Sequence, residues 1–490
     1  MLGNKIALGA AWSMGLNIVT RGLSLISIII LTRLITPHDL GVYAAAAVVV
    51  ELIYVLTEVG IYPTLIQRKD VTPQLYQTAW SIQLVRAIII FSIIHLFATF
   101  FVSIYSDQPE VRDALQILSL VVIVSGFTSI YLVNFQKNLD FKSLMKFDVT
   151  CRLIGFFTTI VAAYILRSFW ALVIGNLVQE SARVILSHIV VSGRHRITFK
   201  AAPDILRTSH WLFLSGLSGF ISLKTDTFLI TRFAGTKALG IYELGYQIAI
   251  VPSQQIALPV ARALFPGLAK VQDDSKEFAR IFTKTISAIL YIAIPAGVAL
   301  VLLAQIIVEA LFTEEWYDAV VIIQILAIFG MVRIIFGPCT SALMGSGRMA
   351  LHAKLTMLNA SMRIAALSIG LLQFGVIGLC WAAVGVAVIQ ACIYLTILRR
   401  LRMVDIILVV KSIWRTVVAS ILMGGVLMLT VQYCYSFVEK SNLLILLIVI
   451  GVGSGSYLIA VAGLWVITGR PEGLEALLYN RVIRPKVSGR

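Results

Sequence analysis

Apolar stretches of roughly 20 residues or more recur along this chain, each closed by a short polar run. Their texture is helical rather than alternating. At 1.5 Å of rise per residue, roughly 20 such residues cross a hydrocarbon core about 30 Å thick. The pattern predicts fourteen helices, at about 10–32, 40–62, 79–104, 113–134, 147–166, 169–192, 209–231, 239–263, 281–311, 317–344, 350–374, 376–398, 412–435 and 442–468. The segments between them are too short for a folded soluble domain. With 59% hydrophobic and 13% charged residues and a mean hydropathy of +0.93, water could not solvate the surface of such a chain. A bilayer can, provided every backbone N–H and C=O is paired inside a helix or a closed barrel.

Two stretches 199 residues apart read almost as one another. Thr32-Arg33 precedes Leu40-Gly41-Val42-Tyr43, and Thr231-Arg232 precedes Leu239-Gly240-Ile241-Tyr242, with no gap needed. Trp12 and Trp211, which open the preceding apolar runs, share the offset. Six helices separate the copies, so helices 1 and 7 enter the membrane in the same direction. That makes parallel repeats, related by an axis along the membrane normal. The expected architecture is an all-α polytopic membrane protein with a six-helix lobe over 1–196, a second over 197–402, and two accessory helices with a tail over 403–490.

Charge tests this topology independently. With both termini in the cytoplasm, 26 basic residues fall on inner segments and 6 on outer ones. The positive-inside rule is strongly satisfied, and one helix missed or added in mid-chain would destroy the bias. Most of the net charge of +16 is therefore topogenic, facing anionic headgroups. It is scattered over short loops rather than gathered in one patch, which argues against nucleic acid as a partner. The first apolar stretch is too long for a cleaved signal and is interrupted by Asn17 and Arg21. The five cysteines lie in or beside helices without metal-like spacing, so no metal or cofactor is expected.

Ionisable groups at membrane depth need a partner or a wet cavity. Arg21, Arg333 and Arg363 sit nearest mid-span with no acidic neighbour in sequence. Surplus arginine in a cavity suits an anion, above all phosphate or pyrophosphate, which a guanidinium grips bidentately. Lys224, Arg86 and Arg152 complete the candidate binding set, although the last two, like Arg262, also read as snorkelling from helix ends. Glu180 and Arg183, three apart, read as a mutually neutralising pair. Asp226, Glu243 and Glu51 are candidates for coupling to a proton or sodium gradient. Lys224 and Asp226 are two apart and cannot share a face, so each needs its own partner. Pro252, Pro259, Pro295 and Pro338 are candidate bending points.

The repeated turns have two readings. In one, Arg33 and Arg232 snorkel outward, and Tyr43 and Tyr242 sit in an interfacial belt. In the other, these four residues form an outer gate. Signals of catalysis are absent: no phosphate loop, no clustered His or Cys, and no GxSxG. A drug/cation antiporter would want an acidic cavity, whereas the mid-span charge here is net basic. A membrane polysaccharide polymerase would want a sizeable outer loop, and the longest, around Glu314-Glu315-Trp316-Tyr317-Asp318, is short.

Trp12-Ser13, the turn Thr32-Arg33-Leu34-Ile35-Thr36-Pro37 and the segment Leu65-Ile66-Gln67-Arg68-Lys69-Asp70 resemble bacterial polysaccharide-export proteins of the Wzx type. So do Asn134-Phe135-Gln136-Lys137-Asn138-Leu139-Asp140-Phe141, Asp226-Thr227-Phe228-Leu229-Ile230 and Leu264-Phe265-Pro266-Gly267-Leu268-Ala269-Lys270-Val271-Gln272-Asp273-Asp274. The resemblance spans both lobes and is closest to the colanic-acid and exopolysaccharide branch. It implies the fold of the multidrug/oligosaccharidyl-lipid/polysaccharide (MOP) superfamily, like that of the MATE transporters, with two extra helices. It further implies flipping of a polyprenyl-pyrophosphate-linked oligosaccharide to the periplasmic leaflet of the bacterial inner membrane, alongside polymerase or export partners. The matched motifs lie mostly at turns and helix ends, so they carry architecture rather than substrate contacts.

Overall fold

The computed structural model describes residues 2–68, 71–105, 108–206, 209–252, 274–437 and 442–469. Among them are fourteen helices in register with the apolar pattern, the eighth described only as far as residue 252. They are α1 (Leu2–Leu31), α2 (Pro37–Leu56), α3 (Pro73–Tyr105), α4 (Pro109–Gly126), α5 (Phe141–Leu166) and α6 (Trp170–Val190). Then come α7 (209–234), α8 (from 236), α9 (Ser275–Leu311), α10 (Ala319–Gly345), α11 (349–374), α12 (376–400), α13 (Ile406–Phe437) and α14 (Asn442–Ile467). By length and hydropathy alone, eight helices qualify as spans, Met349–Arg400 counting as one, and bent α4 makes a ninth. The remaining helices are α1, whose apolar part is Gly15–Leu31, and α6, α7 and α8. Arg262, Pro259, residues 264–273 of the matched motif and the basic tail beyond Gly469 lie outside the described residues.

Contacts divide the chain into two compact units, Met1–Glu243 and Leu244–Arg490, so α7 and the first turns of α8 belong to the first. In that unit α5 packs against α1 and α6, and α4 packs against α2, α3 and α6. One apolar core joins the short helix Ile61–Gln67 (Ile61, Leu65) to α3 (Leu75, Ala79), with Ile130 and Ile205. In the second unit, the two accessory helices α13 and α14 pack on α9. Met423, Leu427 and Val449 bury Leu303 and Ile306, and the Tyr457 hydroxyl donates to the Tyr291 carbonyl at 2.6 Å.

Each connection solves the same problem, which is turning the backbone without stranding polar groups. Before α2, the Thr36 hydroxyl accepts from the Asp39 N–H and the Asp39 carboxylate accepts from the Thr36 N–H, a closed capping box with Pro37 at the first helical position. Asp39 also accepts from the N–H of Phe169 at 2.9 Å, fixing the start of α6 to the same turn. At the matching position of the second copy, Gly235 turns α7 into α8 in one residue (φ 84°, ψ 174°), and Gly375 does the same between α11 and α12 (φ 65°, ψ −157°). That region is closed to residues with a Cβ. Where α4 breaks, it bends 69° into the short helical stretch Ile130–Lys137. There the Gln83 amide of α3 donates to the carbonyls of Gly126 and Thr128, both at 3.0 Å, replacing bonds that the break removes.

No neighbour lies within 4 Å of a Cβ built on Gly235 or on Gly219 within α7. Gly235→Ala is therefore expected to cost about 1–3 kcal/mol through backbone strain alone. Gly219→Ala, which only removes helical flexibility, should be neutral or stabilising by up to about 1 kcal/mol. Thermal unfolding of the detergent-purified variants checks the difference.

Candidate functional site

In the first unit the intramembrane cations gather rather than scatter. Arg21 of α1, Arg152 of α5 and Arg183 of α6 line a polar cavity of about 590 Å³, together with Asn17, Asp148 and Gln179. Arg21 and Arg152 are exposed to it. Arg152 donates to the Ser24 hydroxyl at 2.8 Å, which orients its guanidinium. Arg183 is held from behind by Asp148 at 3.0 Å and by Glu180 at 3.5 Å. Three guanidiniums against Asp148 in the lining and Glu180 beside Arg183 leave the basin positive.

The sequence reading takes Arg183 as spent on Glu180; the structure places it on the cavity wall. A signal was present. Asn176, Gln179, Glu180 and Arg183 recur at helical spacing and make one polar face of α6, which a helix packed only into lipid would not carry.

Arg86 is buried and does not snorkel. It donates to the Thr57 hydroxyl at 3.1 Å, the Tyr54 carbonyl at 2.5 Å and the Glu58 carboxylate at 3.0 Å, and it stacks on the Tyr54 ring at 3.9 Å. These bonds close the end of α2, so removing Arg86 leaves the Tyr54 carbonyl and the partly exposed Glu58 carboxylate without their cation. It also borders a second, smaller cavity of about 170 Å³, which shares Arg183 with the basin.

The candidate coupling residues come together around the α7–α8 hairpin. Lys224 pairs with Glu51 of α2 at 2.8 Å. Asp226, buried, accepts from the Tyr242 hydroxyl at 2.5 Å, and the Thr227 hydroxyl donates to Glu243 at 3.1 Å. Lys224 and Asp226 thus find separate partners, as their spacing requires. Three carboxylates and one ammonium share this region, which the one-residue turn at Gly235 folds together.

In the second unit, Arg333 and Arg363 converge on one aromatic ring. Their guanidiniums lie 5.6 and 5.7 Å from the centroid of Phe329, and Arg333 donates to the Tyr246 hydroxyl at 2.7 Å. Two cations on one ring gain from its quadrupole while repelling each other, and a bound anion relieves that repulsion.

The repeated turns meet each other. A Cβ on Gly41 would stand 1.8 Å from the Thr236 carbonyl oxygen and 3.1 Å from the Gly240 nitrogen. One on Gly240 would stand 1.8 Å from the Pro37 carbonyl oxygen and 3.1 Å from the Gly41 nitrogen. Both partners are related by the repeat offset, so the two copies touch backbone to backbone with local two-fold symmetry. His38 ties the contact further, bonding Thr236 at 2.8 Å and Glu110 at 2.9 Å. Arg33 and Arg232 are exposed. The tyrosines turn inward instead of joining an interfacial belt: Tyr242 onto Asp226, and Tyr43 accepting from Asn176 at 3.1 Å.

The family described as polysaccharide biosynthesis protein matches residues 30–321. The chain belongs to this family. Its fold is shared with transporters of the MOP superfamily. The lipopolysaccharide biosynthesis protein WzxC of Escherichia coli (strain K12) is 27% identical over 386 residues, 77% of each chain. Among solved structures, the lipid II flippase MurJ in an inward closed conformation has a TM-score of 0.74 at 16% identity, covering 94% of this chain and 99% of its own. An inward-facing multidrug resistance MATE family transporter has a TM-score of 0.64 at 15% identity, covering 78% of this chain and 94% of its own. These likenesses establish the fold, and the family match covers the α7–α8 hairpin, both repeated turns and the α5 and α6 walls of the basin, but not Arg21 and the rest of its α1 wall.

The Gly41–Gly240 contact gives a direct test. In a background without native cysteines, His38→Cys with Thr236→Cys should cross-link readily. Adding Gly240→Ala should lower the yield severalfold, because the new methyl must displace the Pro37 carbonyl. An unchanged yield would mean that the turns are not held at backbone distance.

Proposed function

We propose that this protein flips a polyprenyl-pyrophosphate-linked oligosaccharide from the cytoplasmic to the periplasmic leaflet of the bacterial inner membrane by alternating access. The observation that carries this is the basin of Arg21, Arg152 and Arg183, a polyvalent anion site inside an apolar bundle. In low dielectric, charge-assisted bonds to a pyrophosphate are strong, while the polyprenyl chain stays in the hydrocarbon around the helices. The name of WzxC, a lipopolysaccharide biosynthesis protein, supports the substrate class. In this reading both termini are cytoplasmic, residues 1–196 and 197–402 are the lobes that rock, and 403–490 are accessory. The outer gate lies at the repeated turns, with Arg33, Tyr43, Arg232 and Tyr242 beside the glycine contact. Arg333 and Arg363 supply a second anion-holding group, Lys224 adds to the positive surface, and surface-polysaccharide polymerase and export proteins take the product.

Arg21→Ala, Arg333→Ala and Arg363→Ala are each expected to insert normally and to lower translocation roughly 10- to 100-fold, the worth of a hydrogen bond to a charged group. Arg86→Ala should instead lower folded yield. Normal export in all three arginine variants would remove the cavity proposal. Deleting the protein should accumulate lipid-linked repeat units on the inner leaflet; unpolymerised units on the outer leaflet would contradict the reading.

Coupling to a proton or sodium gradient is assigned to Asp226, Glu243 and Glu51. Asp226→Asn and Glu243→Gln should each abolish the acceleration that an imposed gradient produces in proteoliposomes. Rates of the unmodified protein that ignore both gradients would exclude coupling at these residues.

A further inference from the structure

Arg183 stands between two cavities of different chemistry. On one side is the arginine basin. On the other is the smaller cavity of about 170 Å³, bordered by Tyr54, Tyr62, Gln83, Ser125, Thr128 and Glu180. Its two arginines, Arg86 and Arg183, are each matched by a carboxylate, Glu58 and Glu180. It is therefore a poor anion site and a good site for a neutral polar group.

Three features mark it as built for a ligand rather than left by loose packing. The Thr128 side-chain hydroxyl is buried, with 6% of the residue exposed, and has no hydrogen-bond partner. A buried hydroxyl left unpaired costs free energy that a ligand or water recovers. The cavity lies where α4 breaks, and the Gln83 amide that lines it is fixed by the carbonyls of Gly126 and Thr128, so its wall is polar and rigid. Finally, Tyr54 and Tyr62 remain half-exposed at the cavity, offering aromatic faces next to hydrogen-bonding groups. Hydroxyls and C–H faces on one small, neutral, ring-sized object are what this combination matches. The volume corresponds to about six waters at ~30 Å³ each, enough for a single sugar ring and not for an oligosaccharide.

We infer that this cavity is a monosaccharide subsite, taking the sugar bonded directly to the pyrophosphate while the arginine basin holds the phosphates, with Arg183 at the junction. The inference rests on the proposed flippase function, since it places one substrate across both cavities. Thr128 donates to a ring hydroxyl, and Tyr62 stacks on the ring. The remaining sugars stay in the wider aqueous space. The arrangement makes the first sugar, and not the far end of the oligosaccharide, the part that is inspected.

The test measures binding of two probes to the full-length protein in nanodiscs: undecaprenyl pyrophosphate alone, and undecaprenyl pyrophosphate bearing a single hexose, with glucose and galactose tried in turn. The unmodified protein should bind one hexose-bearing probe more tightly than the bare pyrophosphate. Thr128→Val keeps the side-chain shape and removes the hydroxyl. It should weaken hexose-probe binding roughly two- to tenfold and leave bare pyrophosphate unchanged. Tyr62→Leu should do the same. Arg21→Ala should weaken both probes together. Equal binding of bare and hexose-bearing probes by the unmodified protein would overturn the subsite and leave the anion basin standing. Thr128→Val and Tyr62→Leu variants that keep the unmodified protein's preference for the hexose-bearing probe would also overturn it. A protein that binds neither probe would overturn the flippase reading and the subsite with it.

Discussion

Every backbone polar group within the hydrocarbon must be paired inside the protein, and this constraint shapes each departure from helix seen here. The one-residue turns at Gly235 and Gly375 reverse the chain with a single non-helical residue, so little backbone is released. The capping box at Thr36 and Asp39 does the same work where the first copy of the repeat carries a residue with a Cβ. At the break of α4 the released carbonyls are collected by one side-chain amide, Gln83. That repair also creates a polar wall inside the bundle, so the tolerance of the break and the presence of the cavity beside it have one cause.

Charge obeys a parallel constraint, and the structure sorts the intramembrane ions by how they meet it. Arg86 is consumed by Glu58, Thr57 and a carbonyl of α2, and holds a helix end. Around the α7–α8 hairpin Lys224 pairs with Glu51, while Asp226 and Glu243 accept from the hydroxyls of Tyr242 and Thr227. Arg21 and Arg152 instead face an open basin, with Arg183 braced at its wall by Asp148. An ion that is fully matched locally is a structural part. A cluster whose cations outnumber its carboxylates has capacity for an external anion, and that asymmetry separates the basin from the other charged groups.

The helix count, the polar turns and the duplication were legible because bilayer thickness imposes a length on each apolar run and leaves the turns as the only polar punctuation. The separate partners of Lys224 and Asp226 followed from helical spacing alone. The meeting of Gly41 with Gly240 was not legible. The repeat showed that two turns were alike, but nothing along one dimension says that like turns touch. Arg183 was hidden for a different reason. An i, i+3 neighbour of opposite sign is a sufficient account on a single helix, and only the placement of Asp148 on α5 shows that Arg183 belongs to a wall shared by several helices. The inward turn of Tyr242 was missed because an interfacial position and a buried one look the same in sequence; Asp226, sixteen residues earlier, decided it.

The symmetric glycine contact gives a physical reason for glycine at the same position of both turns. A backbone contact made by two glycines has no side chains to compensate a change on one side, since a methyl on either Gly41 or Gly240 meets the other copy's carbonyl oxygen directly. Both copies are therefore held to glycine at this position by the same steric limit. The cavities face the opposite demand. An asymmetric ligand, charged at one end and neutral at the other, gains nothing from two equal half-sites. The first unit accordingly carries a polar basin beside a neutral pocket, whereas the second carries two arginines on a phenylalanine. Symmetry is present where the two turns touch by backbone alone and absent between the charged groups of the two units.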